Sequence, residues 1–375
     1  MQTGIHSRFL VILAAFLFSC YSWMMGQGEF TPFVEFVPPP ALLLDANDIS
    51  NLVRQQGNTD FERAFRPTRF LAEEALDREP RPLFEIQYDG LISNHPDKIS
   101  TVSHLQDMTY IRALTYTWLI TKEEKYLERL KNYILAWARN YRPTGNDINE
   151  NKLDACFIAF YYLKPVWTNI ESKEVALFLS SIAQKQLGLA RESQSSGHHA
   201  AKRVKLVALA GLILENEALK AWAMTNFKKV LDKTLYKDGI TYDLIRRDAL
   251  YYHASGLANL LEVAIVSQKL GSNMYNEKTL LGGSLRRSIE FTLPYITGEE
   301  RHREWVNTTV ELDRDSWEAG DSFYEPGRVW NPNEAYDLIL LASLFDPSLF
   351  NLVSSLRKEP SWTEVLVRTI INQRF

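Results

Sequence analysis

Apolar residues recur along most of this chain at intervals of three and four, and few stretches alternate apolar with polar. From about Leu42 onward that spacing predicts helices. Residues 108–119 are apolar and aromatic at mixed i, i+3, i+4 spacing. Residues 123–138 are amphipathic, with Tyr126, Leu130, Tyr133, Ile134 and Trp137 on one face. Segments 153–166, 173–189, 199–214, 219–231, 251–270, 281–295 and 333–345 read the same way. β-branched runs bounded by turn residues are scarce, and Gly-x-Gly phosphate loops are missing from the pattern. The connections 142–149, 193–197 and 237–243 are short and polar, so successive helices pair antiparallel. No repeat of fixed period marks a solenoid. The pattern predicts an all-α fold, an incomplete (α/α)n toroid of about six or seven helical hairpins around a central cleft. Residues 301–328 are less helical and read as a loop or short hairpin over that cleft.

The N-terminus breaks the pattern. His6 and Arg8 precede an unbroken apolar run from Phe9 to Phe18, which has the length of an export-signal core and is too short to span a membrane. Two processing points are readable, a lipoprotein-type cut before Cys20 and a signal-peptidase cut at Gly26-Gln27. The competing reading is a buried N-terminal helix. We expect residues 1–26 to be a signal, residues 27–375 to be one toroid domain, and the product to be periplasmic or secreted, or an outer-membrane lipoprotein. Pro38-Pro39-Pro40 reads as an extended tether. The two cysteines, Cys20 and Cys156, offer no disulfide framework and no Cys-based metal site once the signal is removed.

Composition narrows the partners. Forty-two Lys and Arg against 46 Asp and Glu leave a net charge of −4, so no basic excess favours nucleic acid. An anionic polymer would need a local cationic site. The 9 Trp, 17 Tyr and 19 Phe supply helix core, and some can also stack against sugar rings.

Three constellations carry chemistry. In Ser195-Ser196-Gly197-His198-His199-Ala200-Ala201-Lys202-Arg203, a polar loop opens a helix. His198 pairs with Lys202, and His199 with Arg203, at i, i+4. Cationic groups at a helix start favour an anion; capping and solvated charge is the bland alternative. In Tyr242-Asp243-Leu244-Ile245-Arg246-Arg247-Asp248-Ala249-Leu250-Tyr251-Tyr252-His253, the Arg, Asp, Tyr and His from Arg247 to His253 fall within about two helical turns. A Tyr beside Arg or His suits proton transfer, and a guanidinium suits a carboxylate. Here the bland alternative is a helix start with its aromatics in the core. The third constellation comprises the loops Pro143-Thr144-Gly145-Asn146-Asp147-Ile148-Asn149-Glu150 and Arg301-His302-Arg303-Glu304-Trp305-Val306-Asn307. They offer amides and charges to a sugar, or simply face solvent.

Together these residues resemble the alginate lyase superfamily of polysaccharide lyases, in particular exported bacterial members. Arg247-Asp248-Ala249-Leu250-Tyr251-Tyr252-His253 is similar to the family's Arg-Asp-Ala-Leu-x-Tyr-His segment, which places the proton-transfer tyrosine at Tyr252. Asp238-Gly239, Pro143-Thr144-Gly145-Asn146 with Asn149-Glu150, Trp305-Val306-Asn307 and Trp330-Asn331-Pro332 follow in family order, from about Asp107 to Asp346. The departure is at the histidine motif. The family sets an Asn-rich stretch and a His before Arg-x-Lys-Leu. Counting back from Arg203-Val204-Lys205-Leu206 puts His198 at the Asn position and Lys202 at the His position; alternatively His198-His199 stand for the Asn-His pair.

The resemblance implies β-elimination on a uronic-acid polysaccharide, alginate or glucuronan-like. The carboxylate charge is offset, a base takes the C5 proton, and an acid protonates the leaving oxygen. It implies Tyr252 as acid, and also as base in syn chemistry, with His198 or His199 as base or neutraliser. Arg247, with Arg246 or Lys202, would hold the carboxylate. Asn146, Asn149, Tyr251, His253, His302 and Trp305 would be further substrate contacts. No metal or other cofactor is required, and the sequence carries no HExxH or EF-hand pattern. The rivals are a toroid glycoside hydrolase using Asp147 with Glu150 or Asp313 with Asp315, and a non-catalytic glycan-binding protein.

Overall fold

In the computed structural model, residues 39–189 and 197–374 are described. The predicted signal, both processing points, Cys20, Pro38 and the Ser195-Ser196 loop lie outside them. The helices are α1 (Ala46–Arg54), α2 (Thr59–Leu76), α3 (Pro96–Thr121), α4 (Glu124–Asn140), α5 (Asp147–Glu150), α6 (Asp154–Leu163), α7 (Asn169–Leu189) and α8 (Gly197–Ile213). They continue as α9 (Glu217–Thr234), α10 (Tyr242–Arg247), α11 (Leu250–Lys269), α12 (Leu285–Thr297), α13 (Glu311–Glu318), α14 (Tyr336–Ala342), α15 (Phe350–Leu356) and α16 (Trp362–Arg374). No strand occurs among the described residues, only isolated bridges such as Arg303 with Val329.

The predicted α/α toroid is the fold observed. Helices α3, α6, α8, α11 and α14 pack in succession, with α4, α7, α9 and α12 backing them. Composition separates the two layers. Inner helices are apolar all round: α6 buries Ala155, Phe157, Ile158, Phe160 and Leu163, and α8 buries Val204, Leu206, Val207 and Leu209. Outer helices keep one apolar face, and α4 buries the predicted Tyr126, Leu130, Tyr133, Ile134 and Trp137.

Local chemistry moves several boundaries. The 142–149 connection contains α5, because Asn146 caps it by accepting from the Asn149 N–H at 3.0 Å. In 281–295 the helix starts only at Leu285. Gly283 there lies so close to the Leu235 backbone that a Cβ would meet it at 2.6 Å. Pro165 turns 153–166 into a 3-10 ending. The 301–328 segment is mostly loop but holds α13, and the Arg303–Val329 bridge joins its ends. No described helix is long and apolar enough to cross a membrane. Cys156 is a fully buried free thiol.

Arg112, Asp154, Lys205 and Glu262 form one buried charged set within the apolar interior. Arg112 on α3 donates to Asp154 on α6 at 2.5 Å, and Lys205 on α8 donates to Asp154 at 3.1 Å and to Glu262 on α11 at 3.2 Å. Glu262 also accepts from the Ala41 N–H at 2.6 Å. Lys205 is 1% exposed and Asp154 0%. Burial opposes the Lys205 charge, but Glu262 and Asp154 together hold its pKa above the ordinary lysine value. Removing one partner of such a set strands the others without water. Lys205→Met is therefore expected to cost about 3–5 kcal/mol, read as a lower urea midpoint. A loss under about 1 kcal/mol would show that apolar packing alone sets the inner ring.

Candidate active site

The site is built where α8, α10 and α11 begin. Helix α8 opens at Gly197 with φ +69, a left-handed backbone that favours glycine. Asp243, in the first turn of α10, points back at this opening. Its Oδ2 accepts from the His198 N–H at 2.9 Å, and its Oδ1 lies 2.9 Å from His198 Nδ1. Two glycines make room for the carboxylate: a Cβ at Gly197 would meet Oδ1 at 2.8 Å, and one at Gly256 on α11 would meet Oδ2 at 3.0 Å.

This pairing decides the protonation of His198. Burial pushes its pKa down to about 4, against the pull of Asp243 and with help from Lys202 and His199. Burial opposes the Asp243 charge too, but His198 and Arg247 outweigh it and hold that carboxyl below its ordinary value. Around neutral pH the imidazole is uncharged beside a carboxylate. Nδ1–H then donates to Asp243, and Nε2 carries the lone pair.

Tyr252 sits against this imidazole, the two ring centroids 5.2 Å apart. The Arg247 guanidinium lies over the other side chain's ring, with Cζ 3.9 Å from the Tyr252 centroid, and pairs with Asp313. Asp313 is held in turn by Thr308 Oγ1 at 2.8 Å. Burial works against the Arg247 charge, yet Tyr252, Asp313 and Asp243 keep its pKa above the ordinary arginine value. Trp305 stands edge-on to Tyr252 at 5.7 Å, Tyr251 at 5.2 Å, and Tyr324 Oη lies 3.4 Å from Tyr252 Oη.

The start of α11 has no capping side chain of its own, since its N-cap is Ala249. Glu304 supplies the cap from the 301–328 segment, accepting from the Leu250 N–H at 2.6 Å and the Tyr251 N–H at 3.4 Å. Burial, added to by Glu334 and countered by the two backbone donors and Arg328, raises its pKa to about 8. Asp248, at φ +49, ends α10 and ties down the same loop. Its carbonyl accepts from Trp305 N–H at 2.8 Å and its Oδ2 from Asn307 N–H at 2.9 Å. Trp305 itself has φ +67, a strained backbone for a bulky residue, kept in place by these contacts.

The structure thus brings together His198, His199, Lys202, Arg247, Tyr251, Tyr252 and Trp305. His199 Nδ1 lies 2.8 Å from Asp147 Oδ1, and Arg203 holds the other Asp147 oxygen at 2.6 Å. Other expected contacts are placed elsewhere. His253 is fully buried, with Nδ1 3.0 Å from Thr241 Oγ1 and Nε2 3.0 Å from Thr292 Oγ1, so it braces α11 and does not reach substrate. Asn149 is buried, accepting from the Asp89 N–H and donating to the Ile86 carbonyl. Asn146 is committed to capping α5 and to Asp89. Arg246 is exposed and bonds Thr309 and Tyr242, so Arg247 and not Arg246 is the guanidinium at Tyr252. His302 is half-buried, with Nε2 3.1 Å from the Asp248 carbonyl, and helps hold the loop.

Asp243 and Glu304 lay inside the quoted constellations but were given no role, and Tyr324 was not singled out. The structure gives Asp243 a place behind the capping Thr241, in a turn whose far end is Arg247. The carboxylate pairs of the hydrolase reading do not form facing pairs. Asp147 is engaged by His199 and Arg203, and Glu150 by the Thr144 and Gly145 N–H groups and Gln186. Asp313 is bound to Arg247 while Asp315 is exposed. Among the described residues no His, Cys, Asp and Glu group is arranged to hold a metal ion.

The site thus sets a neutral His198 on Asp243 beside the Tyr252–Arg247 stack, on inner helices of a helical toroid. The family profile described as "Alginate lyase" matches residues 57–302, and the chain belongs to that family, which makes it a polysaccharide lyase. Solved structures agree in fold. An alginate lyase from Bacteroides ovatus superposes with a TM-score of 0.66 at 15% identity, over 87% of this chain and 97% of that one. Alginate lyase A1-III from Sphingomonas species A1 gives 0.53 at 17% identity, over 69% and 80%. A tyrosine-to-phenylalanine variant of A1-III complexed with tetrasaccharide gives 0.54 at 14% identity, over 69% and 80%. No curated protein sequence is significantly similar to the chain.

The two buried imidazoles make a stability prediction. His253, like His198, has its pKa pushed by burial down to about 4. A histidine with a depressed folded pKa contributes stability that is complete above the unfolded value of about 6.5 and is lost as pH falls toward 4. Each contributes a slope of up to about 1.4 kcal/mol per pH unit in that window. His253→Gln is expected to flatten the fall of the melting temperature between pH 6.5 and 4.5. A curve parallel to the native one would mean that His253 is protonated in the fold.

Proposed function

We propose that this lyase cleaves an alginate-like uronic-acid polysaccharide by β-elimination, with His198 as the base and Tyr252 as the acid. The observation that carries this reading is the uncharged His198, held by Asp243, with its ring 5.2 Å from that of Tyr252. A base must be unprotonated, and burial keeps His198 so well below neutral pH. The C5 hydrogen of a uronate is barely acidic while the neighbouring carboxylate is charged, so cationic groups must sit beside that carboxylate. Lys202, close enough to His198 to act on its charge, is the cationic group assigned to it, with His199 alongside the His198 ring. Arg247 takes a different part from the one expected, because its charge is committed to Asp313 and to the face of Tyr252.

The step balances as follows. His198 Nε2 takes the C5 proton, and the freed electron pair forms the C4–C5 double bond. The C4–O bond breaks toward oxygen, which receives the Tyr252 proton. Arg247 then faces the phenolate. Family membership and the tetrasaccharide complexes of A1-III support a polymeric uronate as substrate. Export through the 1–26 segment completes the proposal, placing the enzyme in the periplasm or outside the cell. An N-terminal sequence of recovered protein starting at Cys20 or Gln27 would agree with it.

The test is a panel of uronate polymers scored by absorbance of the unsaturated product. Tyr252→Phe and His198→Ala should each lower the rate on the best polymer by about 10²–10⁴-fold with folding intact. Undiminished activity in Tyr252→Phe would overturn the assignment. New reducing ends without absorbance would favour a hydrolase, and binding without any product a glycan-binding protein.

A further inference from the structure

A second phenol stands at the acid. Tyr324 ends the 3-10 turn Ser322–Tyr324, beyond residue 302, where the family match stops. The turn is fixed from several sides. Asp321 accepts from the Phe323 N–H at 3.0 Å and from the Tyr324 N–H at 3.1 Å, and it also accepts from Ser93 Oγ, across the fold. Trp305 Nε1 donates to the Phe323 carbonyl at 3.0 Å, and its ring lies 5.0 Å from the Tyr324 ring. The loop therefore sets the phenol in place 3.4 Å from Tyr252 Oη. Both phenols lie close enough to Arg247 to help hold its charge.

We propose that Tyr324 is a positioning residue whose O–H donates to the Tyr252 oxygen once that oxygen has given its proton to the leaving group; this rests on the acid role of Tyr252 given above. A phenolate left in a partly buried site needs hydrogen-bond donors as well as charge. Arg247 supplies charge across the ring face. The Trp305 N–H is already committed to the Phe323 carbonyl. Tyr324 is the donor the loop aims at the oxygen. A separation of 3.4 Å is long for two neutral phenols, and it shortens when one becomes an anion, because charge-assisted bonds are shorter and stronger.

The experiment is Tyr324→Phe in the full chain, on the best polymer from the panel, with kcat and KM measured across pH. The titratable and charged groups at Tyr252 are His198 from α8, with Lys202 close to it, Arg247 from α10, with its partner Asp313 from α13, Tyr251 on α11, and Tyr324. We expect KM within about twofold of native and kcat lowered about tenfold, the effect of losing a hydrogen bond to a charged group. The alkaline limb, where the acid loses its proton, should move to higher pH, and the acid limb of His198 should stay in place. The melting temperature should not change. A native kcat and alkaline limb would overturn the proposal. So would a lowered kcat with an unmoved limb, the mark of a merely displaced loop. Tyr252→Phe run alongside separates the two readings: if it stays active, the acid role fails first and this proposal falls with it.

Discussion

The Lys205 ammonium holds in register the two helices that bear His198 and Tyr252. It bridges Asp154 and Glu262 within the buried interior. An apolar contact tolerates a small slide of one helix past another, whereas a buried ion pair does not, since separation leaves a charge without partner or water. His198 lies two turns before Lys205 on α8, and Tyr252 lies on α11 with Glu262. Fixing Lys205 to Glu262 therefore fixes where the imidazole meets the phenol. Arg112 extends the same constraint to α3, so the inner ring is set by charge geometry as well as by packing.

The site uses that fixed frame and adds shorter-range devices. Asp243 sets the His198 tautomer because two bare glycine backbones let it come close. Glu304 completes the start of α11 from a loop far along the chain, and its neighbour Trp305 forms one side of the Tyr252 pocket. One irregular segment thus caps the helix, walls the tyrosine and supplies Tyr324. Left-handed backbone at Asp248 and Trp305 is the strain this close fit carries.

The toroid was legible in the sequence because inner helices are apolar all round and outer ones keep an apolar stripe, a difference that spacing reports directly. The closeness of Arg247 to Tyr252 was legible because one local segment carries both, whereas the meeting of His198 with Tyr252 joins two segments far apart in the chain. The roles of His253 and Asn149 were not, because a polar residue read in a motif looks the same whether its partners are solvent, substrate or buried Thr241 and Ile86. Asp313 and Asp147 were visible as acids but paired with the wrong neighbours, since their real partners lie across the fold at Arg247 and at His199 and Arg203. Glu304 and Tyr324 act through contacts more than fifty residues away, which no periodicity encodes.

The cap that Glu304 places on α11 also bears on how such enzymes can be recombined. A chimera joined near residue 302, where the family-profile match ends, would look like a clean exchange of a loop-rich tail. It would in fact part the tyrosine-bearing helix from the carboxylate that completes its first turn and from the indole at its ring. The transferable module is the helix together with its distant loop, and a crossover that respects the catalytic unit has to fall after Asn331, beyond the strand-like bridge that closes that loop.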